Sequence, residues 1–102
     1  MVRFTVLLLL LAILPVVAGN AQERSFKEEQ DYAFALGLFK DNNYQLAFEK
    51  FRQFTISHPQ SHLLPDAEYY MAESQYQNAN LTDAALAFAR FQETYPDNKL
   101  AD

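Results

Sequence analysis

The two histidines are the residues whose spacing most resembles a site for metal chemistry. His58 and His62 stand four residues apart, a spacing that can place two imidazole ligands on one face of a helix. Pro59 lies between them, and a proline inside a helix removes a backbone hydrogen bond and clashes with the preceding turn. We therefore predict a loop at this point, with no bound metal.

No other combination of residues indicates catalysis. The chain has no cysteine, which excludes thiolate nucleophiles, thiolate metal ligands and disulfides. A Ser-His-Asp order, a glycine-rich phosphate loop and a nucleophile elbow are all missing from the sequence. The carboxylates are spread along the chain rather than paired for acid-base work. We predict a protein that is not an enzyme and needs no cofactor.

An aromatic stripe is the feature that points to binding. Tyr32, Leu36 and Phe39 are spaced four and three apart, so they share one face of a helix. A second stripe follows 37 residues later, and these first helices are apolar on more than one face. The predicted partner-binding positions are Tyr32, Leu36, Phe39, Tyr69, Tyr70, Glu73, Tyr76 and Gln77. The alternative is that the stripes are hydrophobic core, the commoner role of aromatic residues at helical spacing.

The sequence matches itself when it is shifted by 37 residues. The matching positions are small, aromatic or proline residues, which packing and chain reversal would fix. The identical pairs are Tyr32/Tyr69, Ala35/Ala72, Asn43/Asn80, Ala47/Ala84, Phe51/Phe88, Phe54/Phe91, Pro59/Pro96 and Leu63/Leu100. We call residues 37 positions apart equivalent.

Each unit of the repeat predicts two helices. The first helix begins near Ser25, where Ser25 and Glu28 have the spacing of a capping box, and it ends at the turn-forming residues 41–43. The second covers residues 44–57 and stops before Pro59. The next unit repeats this order, with helices from Pro65 to about residue 77 and over residues 81–94.

The alanines and phenylalanines of the repeat are predicted to pack the helices together. Small residues allow close approach of helices, and the aromatic rings fill the space between stacked hairpins. The predicted packing positions are Ala35, Ala47, Phe51, Phe54, Pro59, Ala72, Ala84, Phe88, Phe91 and Pro96.

This pattern resembles the tetratricopeptide repeat. The spacing Ala-x3-Phe-x2-Phe-x4-Pro begins at Ala47 and again at Ala84, matching landmarks of the second helix in that family. The first-helix Trp and the Leu-Gly pair of the family are replaced, and the period is 37 rather than the usual 34. The three added residues fall in the loops 59–64 and 96–101. The stretch 65–74 and these longer loops resemble the envelope branch of the family, which includes the lipoprotein of the outer-membrane β-barrel assembly machinery and the Tol-associated periplasmic division coordinator.

The resemblance implies an all-α fold in which antiparallel helix hairpins stack as a right-handed superhelix. It also implies a protein-binding scaffold whose first helices line a concave groove. The absence of a lipid-accepting cysteine departs from the lipoprotein members.

The first residues predict an exported protein. Arg3 precedes an apolar run, Pro15 interrupts it, and residues 19–21 offer small side chains for cleavage after Ala21. The alternative is a membrane anchor, but the apolar stretch 4–18 is shorter than the roughly 20 residues that span a bilayer. We predict a signal peptide over 1–21 and, because cysteine is absent, a bacterial periplasmic location.

The net charge of the chain limits which classes of partner it can bind. The formal net charge is −5, which disfavours phosphate backbones and anionic membrane surfaces. We predict a protein or peptide partner, no nucleic acid and no small-molecule substrate; if the signal peptide is cleaved, membrane association is predicted to be only indirect. The predicted domain covers 22–102, with repeats over about 28–64 and 65–101, and the repeat pattern predicts a chain truncated before a third repeat.

Three functions fit these expectations. The first is an interaction scaffold of the cell envelope, with a possible role in outer-membrane assembly. The second is a docking or oligomerisation arm of a longer repeat protein. The third is a delivery module for an envelope enzyme encoded downstream.

Overall fold

The computed structural model describes residues 22–101, and within that range the chain forms helices and turns without a strand. The first helix, α1, covers residues 22–40. It is followed by α2 (Tyr44–Ser57), α3 (Leu64–Gln77), α4 (Leu81–Thr94) and a short 3₁₀ helix (Lys99–Ala101). The predicted signal peptide and its cleavage after Ala21 lie outside the described residues.

Both hairpin turns use the same backbone geometry. At the end of α1, the Asn43 amide donates to the Leu38 carbonyl and the Asn42 amide to Phe39, the two hydrogen bonds of a Schellman motif. At the end of α3 the equivalent bonds join Asn80 to Gln75 and Ala79 to Tyr76. Each motif places one residue in the left-handed region, Asn42 at φ 63° and Ala79 at φ 65°. The two hairpins therefore close in the same way.

The proline loops also repeat. The Ser61 amide donates to the His58 carbonyl, and the Leu63 amide donates to Ser61 Oγ. After α4 the Asn98 amide donates to the Tyr95 carbonyl, and the Leu100 amide donates to Asn98 Oδ1. Ser61 and Asn98 are equivalent, so a short polar side chain shapes the start of the following segment in both units.

The core lies between the helices and is made of alanine and phenylalanine. Helix α3 packs against both α2 and α4, so it occupies the middle of the stack. Small buried residues let these helices approach closely, and the rings fill the remaining space. The buried apolar residues are Ala35, Ala47, Phe51, Phe54, Ala67, Ala72, Ala84 and Phe91.

The all-helical, stacked-hairpin architecture confirms the predicted fold class. Helices α2 and α4 have the predicted bounds, and α3 starts one residue before Pro65. The capping box at Ser25 was wrong as a helix start, because α1 is already helical at residue 22. A Ser-x-x-Glu pattern can also occur inside a helix when residues on both sides favour helix.

Candidate protein-binding surface

Tyr32 and Tyr69 hold equivalent places inside the two hairpins. The Tyr32 ring makes edge contacts with Phe51 and Phe54, with ring centroids 5.8 and 5.9 Å apart. The Tyr69 ring contacts Phe88 and Phe91 in the same way, at 5.9 and 5.8 Å. Both tyrosines are half-buried. Each joins the first helix of its hairpin to the second.

Burial changes the acid-base behaviour of these phenols. Burial, with the nearby Asp66 carboxylate as a smaller cause, raises the pKa of Tyr32 to about 12. Burial also raises the pKa of Tyr69, and its hydroxyl donates a hydrogen bond to Glu73 Oε1 at 3.1 Å. Both groups therefore remain neutral hydrogen-bond donors at neutral pH.

Tyr70 lies at the junction between the hairpins. Its ring stacks on Phe51 at 5.5 Å with an interplanar angle of 15°, and it meets the edge of Phe39 at 5.1 Å. It also contacts Tyr69, its neighbour in α3, at 5.4 Å. One side chain thus connects α3 to both helices of the first hairpin.

The eight predicted binding residues divide by exposure. Tyr32, Leu36, Phe39 and Tyr70 pack against the buried cluster of the first hairpin. At the other end of α3, Tyr76 is 54% exposed and Gln77 is also exposed. We refer to the eight together as the first-helix surface; its members are Tyr32, Leu36, Phe39, Tyr69, Tyr70, Glu73, Tyr76 and Gln77.

A cavity of about 350 Å³ adjoins this surface. It lies between α1, α3 and the 3₁₀ helix, and its walls carry aromatic rings, an acid and a base. The lining residues are Tyr32, Asp66, Tyr70, Asn98, Lys99 and Leu100. The sequence pattern indicated the two tyrosines but missed the other four, because the turn after α4 and the start of α3 carry no helical periodicity.

The predicted packing residues occupy three environments. Ala35, Ala47, Phe51, Phe54, Ala72, Ala84 and Phe91 are buried. Phe88 is half-buried, although its equivalent Phe51 has no exposed area. Pro59 and Pro96 are exposed in the loops after α2 and α4.

His58 takes part in a structural contact. Its Nε2 atom lies 2.9 Å from Asp31 Oδ2, which ties the end of α2 to α1. This hydrogen bond, together with Lys27, holds the pKa of Asp31 below its usual value. At the equivalent place in the second hairpin, burial and the Glu68 carboxylate raise the pKa of Tyr95 to about 12.

Within residues 22–101, no three His, Asp or Glu side chains form a cluster that could hold a metal ion.

A second cleft, also of about 350 Å³, lies on the side of the second helices. Phe48 from α2 and Met71 from α3 face Leu86 and Ala87 from α4 across it. Glu68, Asp83 and Arg90 also line it. The predicted binding positions do not include this cleft, because its lining residues come from three helices and meet only through the way those helices pack.

Comparison with models of known protein families shows which family this chain belongs to. A family model, YfiO, described as outer membrane lipoprotein, matches residues 24–102, which is most of the chain. The chain belongs to the YfiO family. This confirms the resemblance to the envelope branch of tetratricopeptide-repeat proteins. No curated protein and no solved structure matches the chain.

The YfiO match also bears on location. The family is described as an outer membrane lipoprotein family, so membership associates the chain with the cell envelope. None of the helices in the described part of the chain is long and apolar enough to cross a membrane.

Proposed function

We propose that this YfiO-family chain is a non-catalytic scaffold of the bacterial cell envelope that binds a partner protein or peptide on its first-helix surface. It acts in the periplasm, after removal of residues 1–21, in the assembly of the envelope or the outer membrane. The two repeats over about 28–64 and 65–101 form its binding domain.

The first-helix surface carries this proposal. Its half-buried tyrosines are fixed by contacts with Phe51, Phe54, Phe88 and Phe91, so they lose little conformational entropy on binding. Tyrosine is among the residue types enriched in binding hot spots. The adjoining cavity offers both an acid, Asp66, and a base, Lys99. A peptide with an apolar anchor and polar flanks fits such a surface.

Attachment to the membrane is proposed to be indirect. The 102 residues contain no cysteine, so none of them can carry a thioether-linked lipid. With a net charge of −5, the chain also has little attraction to an anionic headgroup surface. We propose that protein partners hold it near the outer membrane.

A structural role is the second candidate. Tyr32, Leu36, Phe39 and Tyr70 pack against the buried cluster of the first hairpin. That arrangement favours a docking arm in which much of the aromatic stripe stabilises the stack rather than a partner complex. The two roles differ at the exposed end of α3, where the scaffold role requires partner binding and the structural role does not.

Substitution at Gln77 separates the two roles. Gln77→Arg changes an exposed residue of the first-helix surface, and Gln53→Arg makes the same change on an exposed residue of α2. Tagged chains would be purified from cross-linked cell envelopes, and co-purifying proteins quantified by mass spectrometry. The scaffold role predicts that Gln77→Arg reduces the recovery of a specific partner several-fold. Gln53→Arg should leave that recovery unchanged, and neither variant should change the melting temperature. Equal partner recovery with both variants would contradict binding at this end of the surface.

A further inference from the structure

One face of α4 lines the cleft between α2, α3 and α4. Asp83, Leu86, Ala87 and Arg90 recur at intervals of three and four residues, so they share one side of the helix. All four line the cleft. Leu86 is 58% exposed, and Asp83 and Arg90 are also exposed. We call these four residues the α4 face.

The two charged residues of the α4 face have no ion-pair partners among residues 22–101. They also cannot pair with each other, because positions 83 and 90 are separated by about 10 Å along a helix. Leu86 and Ala87 lie between them. The face therefore presents an acid, an apolar centre and a base, in that order along the helix.

This order is self-complementary. When two copies of α4 pack antiparallel about a twofold axis between positions 86 and 87, position 83 of each copy faces position 90 of the other. Asp83 then meets Arg90 of the second copy at both ends of the contact. In the centre, each Leu86 lies against the small Ala87 of the other copy, which lets the helices approach closely. Such a contact is isologous, because both copies use the same surface.

We propose that two copies of this chain associate through the α4 face, with their α4 helices antiparallel. Each α4 would then lie over the cleft of the other copy. Phe48 and Met71 line that cleft and are half-buried, so the second copy would cover part of their remaining apolar area. The flexible side chain of Met71 can adapt to the incoming helix.

No other helix of this chain carries the matching pattern. Within residues 22–101, Asp83 is the one acid that is followed seven residues later by a base. At the equivalent positions of α2, Leu46 and Gln53 replace Asp83 and Arg90. Residues 1–21 contain a single charged side chain, so they cannot supply both charges. The complement of the α4 face is therefore the α4 of a second copy.

The first hairpin shows that a following hairpin would not cover this cleft. An equivalent cleft of about 300 Å³ lies on the first hairpin, and its lining includes no residue of α3 or α4, although the second hairpin is in place. Repeats in such a stack contact only their neighbours. A hairpin that packs on the second as the second packs on the first would thus leave the α4 face open. The equivalent lining pairs are Asp31/Glu68, Phe34/Met71, Lys50/Ala87, Gln53/Arg90, Phe54/Phe91 and Ser57/Thr94.

This inference goes beyond the proposed function and does not rest on it. The α4 face shares no residue with the first-helix surface. Loss of partner recovery with Gln77→Arg would leave the dimer intact, and dissociation of the dimer by a change at Leu86 would leave the first-helix surface intact. The two proposals can fail separately.

Sedimentation equilibrium with protein purified from cells that express the full chain tests the proposal. It would be run in roughly 0.15 M salt, where charges beyond about 8 Å are largely screened and the net charge of each copy opposes association little. We expect the average mass to rise from that of a monomer towards that of a dimer as the protein concentration increases. Circular dichroism of every variant would verify its helix content.

A charge swap tests the predicted pairing. Symmetry places the Asp83 and Arg90 pair twice in the contact, so Arg90→Asp turns two attractions into repulsions. It should raise the dimer dissociation constant roughly tenfold, which corresponds to about 1.4 kcal/mol. The double variant Asp83→Arg/Arg90→Asp restores both pairs with reversed polarity and should recover most of the lost affinity.

Two further variants locate the contact on the helix. Leu86→Glu places a charge in the apolar centre and should abolish the dimer. Leu81→Glu makes the same change on α4 at a residue of similar exposure, 59% against 58%, outside the α4 face. It should leave the dimer dissociation constant unchanged.

Three outcomes would overturn the proposal. A monomer mass at every concentration would show that the α4 face does not bind a second copy. A dimer that is unaffected by Arg90→Asp, or that Leu81→Glu and Leu86→Glu weaken equally, would show that another surface forms it. Failure of the double variant to recover affinity would show that Asp83 and Arg90 do not pair across the contact.

Discussion

Ala79 is a residue with an unfavourable backbone conformation. It lies at φ 65°, where its side chain meets a steric cost of roughly 1–2 kcal/mol, whereas the equivalent Asn42 belongs to a residue type that tolerates this region. Glycine at position 79 removes the cost and adds some entropy to the unfolded chain. We predict that Ala79→Gly raises the free energy of unfolding by about 0.5–1 kcal/mol, measured by urea denaturation.

The reciprocal change at the first turn is the matched control. Asn42→Ala places alanine in the conformation that Ala79 adopts, and it also removes the hydrogen bond between Tyr44 and the Asn42 side chain. This variant should lose stability. Stabilisation by Asn42→Ala, or no gain from Ala79→Gly, would show that the left-handed conformation does not cost energy in this fold.

The hydrogen bond between Asp31 and His58 makes stability depend on acid pH. Because the folded pKa of Asp31 is lowered, its contribution is complete above the unfolded value of about 3.9 and is lost as pH falls through the folded pKa. Asp31 is about one third exposed, so the contribution is at most about 1 kcal/mol. We predict that Asp31→Asn is slightly less stable at pH 7 and that its stability falls less steeply below pH 5 than that of the unmodified chain. Parallel pH curves would contradict this role.

At the scale of the element, the two equivalent phenylalanines should differ in stability. Phe51 is fully buried and stacked on Tyr70, whereas its equivalent Phe88 is half-buried on α4. We predict that Phe51→Leu costs about 1–2 kcal/mol and that Phe88→Leu costs less than half as much. Chemical denaturation of both variants would measure this. Equal costs would show that Phe88 is already covered in solution.

The sequence predicted the helices well because each boundary has a strong local signal. The Asn-rich turns and the residues before Pro59 and Pro96 end helices by backbone chemistry, and the apolar periodicity defines what lies between them. The pattern at Ser25 gave a wrong helix start, since Ser25 lies inside α1.

The candidate site was less predictable. The stripe of Tyr32, Leu36 and Phe39 indicated one helix face, but its half-burial depends on Tyr70 crossing from the next hairpin. The cavity also requires Asn98, Lys99 and Leu100 from a separate turn. Crossing angles and loop paths decide such contacts, and one-dimensional periodicity does not contain them.

At the scale of the whole molecule, the two stacked hairpins offer surfaces that could bind a partner. The first-helix surface adjoins one cavity, and a second cleft lies between α2, α3 and α4. An acidic chain with these surfaces suits protein partners. Membership in the YfiO family places the chain in an envelope family, which agrees with the proposed scaffold.

Site-specific photo-crosslinking in living cells tests the central claim most directly. A photoreactive amino acid would replace Gln77 on the first-helix surface, with Gln53 on α2 as the matched position, and adducts would be identified by mass spectrometry. The scaffold predicts a discrete adduct with one envelope protein from position 77 and a much weaker one, or none, from position 53. Adducts of equal strength from both positions, or none from position 77, would contradict a binding role for the first-helix surface.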